Sequence, residues 1–499
     1  MKKNKIKLLF IPLLSILLLG CFNDSSEEEP QKEETPNTEP FDNTTPSGNE
    51  DTSPTVPDEG GEDTPVTPIN PVEPEEEKLS PMDEPYIGRQ YYLNHIGDIY
   101  SAWGTYRGKG ITIAVIDEGF NPNHEDFYYK DGTSKVSNLS ASFTTSGNNT
   151  TTQVGVDKVV NMGQSHGTFC AGVAAAAVNG KGVAGIAPDA SLLLLKTDKK
   201  PKSIAKAFKY AADNGAKVVT ISIGSYYTYE GDLVDDGSDL GTVFDEPVKY
   251  CYDKNIPVIS AGGNGGLDSQ PTEYTFPGCV DNVIGVGGLA ANKSDEIWTG
   301  SSYNSSSQYQ SIDVFAPADM MFGCCHYDGK IYDGGWNGTS FASPIVAGLA
   351  ALYFEKNPNN TSKQFETDLY NSCHKLTKSS IATSDQLGYG RVDAGKLLNI
   401  KSTEQISASI QTSWTECYAY VWNSVSGSTL KSWPGTSLTK SNGKFTINID
   451  TSKYDSVIFT KTSSGPQTPD LLVTSFINGD IYDLSSPIVE LGIQIGKFN

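Results

Sequence analysis

Gly338-Thr339-Ser340-Phe341-Ala342-Ser343-Pro344 runs directly into Ile345-Val346-Ala347-Gly348-Leu349-Ala350-Ala351-Leu352. A turn of small residues delivers one hydroxyl, and an apolar, alanine-rich run with helical character follows. A serine at the start of a buried helix sits beside unpaired backbone N–H groups and partial positive charge, which favour a developing oxyanion. Gly338 lets the backbone approach closely. Pro344 is expected in the first helical turn, where an N–H is spare. The plainer reading is a serine N-cap on a core helix, the commoner use of serine there. The stretch alone does not separate the two; its upstream partners do.

A serine hydroxyl becomes a nucleophile only when a base takes its proton, and the base needs an orienting carboxylate. The chain has five histidines. One, His166, opens His166-Gly167-Thr168-Phe169-Cys170-Ala171-Gly172, again a glycine-containing turn entering a helix of small residues. Further upstream, Ile111-Thr112-Ile113-Ala114-Val115-Ile116 reads as a buried parallel strand and ends in Asp117-Glu118-Gly119. A carboxylate at the C-terminal end of such a strand lies at the ligand-binding edge of a doubly wound sheet.

The order Asp117, His166, Ser340, on these elements, resembles the subtilisin-like serine proteases (subtilases). A fourth match is Ala261-Gly262-Gly263-Asn264-Gly265. The resemblance implies Asp117, His166 and Ser340 as a catalytic triad and the Asn264 side chain as oxyanion donor. It also implies Ser222-Ile223-Gly224 as one wall of the substrate cleft, pairing with an extended peptide as an added strand. Glu118 departs from the Thr or Ser usual in the family, but it flanks the acid without replacing it.

Taken in order, residues 1–21 read as an export signal. Lys2, Lys3, Lys5 and Lys7 precede a short apolar stretch, Leu8 to Leu19, below the ~20 residues a membrane span needs. Leu18-Leu19-Gly20-Cys21 resembles a bacterial lipobox, which implies lipidation at Cys21 and a protein anchored at the outer face of a membrane. Residues 22–85 read as a tether, with 20 acidic residues against two lysines and 12 of the chain's 27 prolines. Such a segment buries too little apolar surface to offset ordering. It also carries most of the chain's charge of −23, so the acidity is no binding preference. No basic patch points to nucleic acid. Nothing in the tether reads as the folded propeptide that many subtilases carry there.

Residues 86–400 alternate strands and helices, which predicts an α/β domain with a doubly wound parallel sheet. Tyr226 to Phe244 reads as a surface loop. Asp232, Asp235, Asp236 and Asp239 there could take calcium as a structural ion, but their spacing fits no EF-hand and a solvated acidic loop is the favoured reading. No cofactor is required. Seven cysteines follow Cys21, an odd number at no zinc spacing, so they cannot all pair. Cys170 reads as a small buried hydrophobe and His124 as structural, not a second base.

Residues 401–499 are rich in Ser, Thr, Tyr and Val, with turns at Pro434-Gly435 and Asn442-Gly443, and read as a small all-β sandwich. Tyr418, Tyr420 and Trp422 alternate and share one face of a strand; core filling is the plainer account of them. Ala419-Tyr420-Val421-Trp422, Trp433-Pro434-Gly435, Val457-Ile458-Phe459 and Gln467-Thr468-Pro469-Asp470-Leu471 resemble the starch-binding modules of bacterial amylases, close to family 26. That resemblance implies Tyr420, Trp422 and Trp433 as sugar-stacking residues and Gln467 as a hydrogen-bonding residue. The expectation is a surface-anchored serine endopeptidase acting on proteins or peptides, with a module for α-glucan or starch. The alternative is an inactive protease fold serving as a glycan-binding surface protein.

Overall fold

In the computed structural model the described residues are Leu79, Pro81 and 84–498, apart from 228–237, 267–273, 292–294, 305–310, 377–378, 380–381, 401–404, 424–426, 452, 477–480 and 491–492. Cys21, nearly all of the tether and the loop acids Asp232, Asp235 and Asp236 lie outside them.

The larger, α/β part contains α1 (Ile99–Trp103), β1 (Thr112–Asp117), β2 (Ala141–Ser146), β3 (Asn149–Val154), α2 (His166–Ala175), β4 (Ser191–Thr197), α3 (Pro201–Asp213) and β5 (Val218–Ile221). It continues through β6 (Ser225–Tyr227), α4 (Leu240–Val243), α5 (Asp245–Asp253), β7 (Val258–Ala261), β8 (Tyr274–Phe276), β9 (Val283–Leu289) and β10 (Val314–Pro317). Then come the hairpin of β11 (Met321–Cys324) and β12 (Tyr332–Trp336), α6 (Thr339–Lys356), α7 (Ser362–Ser372) and α8 (Ala394–Leu397).

Eight strands form one sheet in the order β10-β9-β7-β5-β1-β4-β2-β3, parallel except for the β2–β3 edge pair. The chain fills the sheet on one side of β1 and then on the other, so β1 is the switch point and Asp117 stands at its carboxyl end. Why the central strands carry no polar alternation is visible in their partners. Ile113 and Val115 of β1, with Leu192 and Leu194 of β4, join the core under α2 and α6. Ala114, Ile116, Leu193 and Leu195 face the second core, under α3 and α5. Both faces are covered, so both residue sets are apolar. Helix α6 is buried from Thr339 to Phe354, which accounts for its lack of a polar stripe.

Two sequence expectations change here. Pro344 is the sixth residue of α6, beyond the first turn, so its missing N–H leaves the Ser340 carbonyl without its intrahelical donor. Glu84, grouped by composition with the acidic tether, is 2 % exposed. It accepts from the backbone N–H groups of Asn179 (2.5 Å), Gly180 (2.7 Å) and Gly182 (2.9 Å). A buried carboxylate needs such partners, so Glu84 belongs to the packed domain and not to a solvated acidic run.

The C-terminal part is a sandwich. One sheet runs β16 (Lys440–Ser441), β17 (Lys444–Asp450), β13 (Gln405–Gln411), β20 (Ile481–Glu490), β21 (Ile493–Phe498). The other runs β15 (Thr436–Leu438), β14 (Cys417–Trp422), β18 (Ser456–Thr460), β19 (Leu471–Leu472). Cys417, Ala419 and Val421 of β14 enter the core between the sheets. The seven cysteines from Cys170 onward are all free thiols. No helix among the described residues is long and apolar enough to cross a membrane.

Candidate active site

Asp117, wholly buried, accepts the N–H of Glu118 at 2.8 Å through Oδ1. Both its oxygens reach His166 Nδ1, at 2.9 and 3.0 Å. His166 is the first residue of α2, and α2 packs on β1 through Gly167. A side chain at 167 would press into the Gly119 carbonyl at 2.3 Å and Asp117 Cβ at 2.9 Å, so only glycine allows the helix to bring the imidazole down to the carboxylate. Burial of His166 favours its neutral form. The Asp117 charge and hydrogen bond, reinforced by Glu118, outweigh it and raise the pKa above the ordinary histidine value. Glu118 in turn pairs with Lys199 at 2.8 Å.

Ser340 is the second residue of α6, after the N-cap Gly338 and Thr339. It is therefore no N-cap serine, and its backbone N–H is one of the four that a helix start leaves without an intrahelical acceptor. Gly338 has φ +152°, and a Cβ there would lie 3.5 Å from Asn264 Nδ2, an ordinary contact. Backbone conformation, not close approach, is what calls for glycine. The Ser340 carbonyl orphaned by Pro344 accepts Ser222 Oγ at 2.7 Å and the Cys170 thiol at 3.4 Å. Cys170 is thus buried, as expected, and also bonded to the serine's backbone. The Ser340 hydroxyl donates to the Ser222 carbonyl at 3.1 Å. Phe341 packs beside His166, ring centroids 5.7 Å apart.

Asn264 follows β7 and reaches the start of α6. Its Oδ1 accepts the Thr339 N–H at 2.9 Å and the Thr339 hydroxyl at 3.0 Å, while Thr339 Oγ1 accepts the Gly263 N–H at 3.0 Å. Two donors on Oδ1 set the amide's orientation. Thr339 as the residue that orients Asn264 went unread in the sequence, although it sits inside the quoted motif. Ser222, Ile223 and Gly224 continue from the end of β5, between Asn264 and Asp117 along the carboxyl edge of the sheet. His124 uses both ring nitrogens internally, Nε2 with the Ile331 carbonyl at 2.8 Å and Nδ1 accepting the Asp126 N–H at 3.2 Å.

In the sandwich the aromatic side chains of β14 turn away from the core, against the core-filling account. Tyr418, Tyr420 and Trp422 are partly exposed while the residues between them are buried. Tyr420 and Trp422 stack at 5.6 Å with rings 29° apart, and Trp433 meets Tyr420 edge-on at 5.4 Å. The Trp433 indole N–H donates to the Ser463 carbonyl at 2.8 Å, which fixes the ring at 42 % exposure. Gln467 lies on the neighbouring segment, bridging to Thr460 of β18.

Comparison with known proteins agrees with both parts. The subtilase family model matches residues 108–390, and the model of starch-binding module 26 matches residues 409–472. Subtilisin DY of Bacillus licheniformis is 28 % identical over 305 residues, 60 % of this chain and 93 % of its own. Thermitase of Thermoactinomyces vulgaris is 29 % identical over 325 residues, 64 % of this chain and 98 % of its own. A protease structure from Pseudoalteromonas arctica shares the fold, with a TM-score of 0.50 and 20 % identity over 64 % of this chain and 98 % of that one. With a family match across more than half its length, the chain belongs to the subtilase family of serine endopeptidases and carries a starch-binding module after its protease domain.

Proposed function

We propose that this protein is a lipid-anchored surface endopeptidase that cleaves peptide bonds through an acyl-enzyme. The observation that carries the catalytic reading is the double contact of Asp117 with His166 Nδ1 at 2.9 and 3.0 Å, on the element beside Ser340. Ser340 attacks the substrate carbonyl, His166 takes its proton and returns it to the leaving amine, and Asp117 orients the imidazole and stabilises its cation. Asn264 and the Ser340 N–H hold the oxyanion. An extended substrate pairs with Ser222-Ile223-Gly224. A substrate N–H competing for the Ser222 carbonyl releases the Ser340 hydroxyl toward His166, consistent with catalytic bonds that tighten only in the complex. The test is turnover of a peptide set by the intact protein with Ser340→Ala, His166→Ala and Asp117→Asn as controls. Cleavage that persists in Ser340→Ala overturns the assignment.

In the same reading Tyr420, Trp422 and Trp433 stack on the apolar faces of α-glucan rings, with Gln467 bonding sugar hydroxyls, and hold the enzyme on a glucan-bearing surface. Their outward orientation supports this. Retention on immobilised starch should be lost in Trp422→Ala, and unchanged retention sinks it. Lipidation at Cys21 predicts membrane fractionation that disappears in Cys21→Ala.

A further inference from the structure

The turn of the β11–β12 hairpin is fastened to the segment that delivers His166. His326 Nε2 bonds the Asn161 carbonyl at 3.0 Å, the His326 N–H donates to Ser165 Oγ at 3.1 Å, and the Cys325 thiol reaches the same hydroxyl at 3.5 Å. Ser165 directly precedes His166. From the two sides of this junction emerge Met162, 54 % exposed, and Tyr327, 60 % exposed, with Val160 beside Met162 at 36 %. Of the hairpin's other apolar residues, Met321, Phe322, Cys324 and Cys325 are buried, while Ile331, 51 % exposed, stands with Tyr327 on the turn. Large apolar side chains gathered in water next to a reactive group mark a contact surface.

Its position says what would touch it. The hairpin lies on the side of α2 away from the sheet, where Phe169 stacks on Trp336 at 5.2 Å. Ser222 to Gly224 lie on the opposite side, at the sheet edge. His166 and Ser340 stand between. A peptide whose acyl half pairs with Ser222–Gly224 leaves past His166 toward the hairpin. We infer that Met162 and Tyr327 form an apolar shelf for the leaving-group half of the substrate and select apolar or aromatic residues there. This rests on the triad and cleft reading above.

The shelf is read by acyl transfer. A peptide methyl ester places no residue on the leaving-group side. Its acyl-enzyme is then attacked by water or by an added dipeptide amide. The amine's nitrogen bonds the acyl carbon, the bond to Ser340 Oγ breaks, and the amine's proton returns to that oxygen through His166. The intact protein should favour Phe-Leu-amide over Gly-Gly-amide by about tenfold, the order of discrimination an apolar contact supplies. In Met162→Ser/Tyr327→Ser the preference, taken relative to ester hydrolysis by the same variant, should fall to within twofold of one. No preference in the parent protein, or an undiminished preference in the variant, overturns the shelf. Absence of ester hydrolysis by the parent protein overturns the catalytic reading and the shelf with it.

Discussion

Replacing Asn264 by aspartate separates its chemistry from its architecture. Asn264 Oδ1 accepts two hydrogen bonds from Thr339, at 2.9 and 3.0 Å, and a carboxylate at 264 accepts both as well. What disappears is the amide N–H, the proposed oxyanion donor. Loss of one such donor costs about 2.7–4 kcal/mol of transition-state stabilisation, or roughly 10²–10³ in turnover, and the added negative charge works in the same direction. Stability should change little. Asn264→Ala removes the acceptor too and leaves the Thr339 N–H without its partner. Because Asn264 is solvent-exposed, water replaces part of that bond, so about 1 kcal/mol of stability is lost, the lower end of the range for such a group. The assay is kcat on a peptide substrate above the pH at which His166 loses its proton, alongside the urea unfolding midpoint. Turnover of Asn264→Asp within fivefold of the parent refutes the oxyanion role. A large drop in its unfolding midpoint refutes the separation of roles.

Activity should be lost as pH falls through the pKa of His166, because only the neutral ring accepts the Ser340 proton; with that pKa raised, the acid limb of kcat/KM lies above about 6.5. Glu118→Gln removes a charge that raises it and should move the limb down, whereas Lys199→Met removes a charge that lowers it and should move the limb up. Shifts in the same direction contradict the electrostatic account. Ser222→Ala removes the stronger of the two donors to the Ser340 carbonyl, leaving only the Cys170 thiol, and should cost about 1–2 kcal/mol in chemical denaturation. The cost should shrink in a Pro344→Ala background, where the helix supplies its own N–H, and additive effects argue against that link. Glu84→Ala leaves three loop amides unpaired and should lower stability by about 3 kcal/mol, seen as a lower melting temperature; an unchanged melting temperature contradicts a structural role for the segment.

How much of this was legible in the sequence follows from the range of each interaction. The doubly wound sheet could be read because a strand covered on both faces must be apolar throughout, as Ile113 to Ile116 are, and because Asp117 closes that run. His166 and Ser340 could be read because each opens a helix of small residues, a local pattern. The alternation of Tyr418, Tyr420 and Trp422 assigned them to one face, but which face looks inward depends on the facing sheet. The small set alternating with them, Cys417, Ala419 and Val421, is the buried one. Glu84 was invisible because its partners lie some 95 residues away, and a composition window averages a single buried charge into an acidic run. Pro344 falls in the first turn only of a helix that starts later than this one does. With α6 beginning at Thr339, the proline frees the Ser340 carbonyl, and the hydroxyl that meets it comes from the distant Ser222.

The central claim is that Asp117, His166 and Ser340 form a working nucleophilic site. The most direct measurement is labelling of the intact protein with a serine-directed fluorophosphonate, followed by mapping of the adduct. Labelling should fall on Ser340, disappear in Ser340→Ala and drop strongly in His166→Ala. A folded protein that stays unlabelled, or labels equally in Ser340→Ala, would contradict the account.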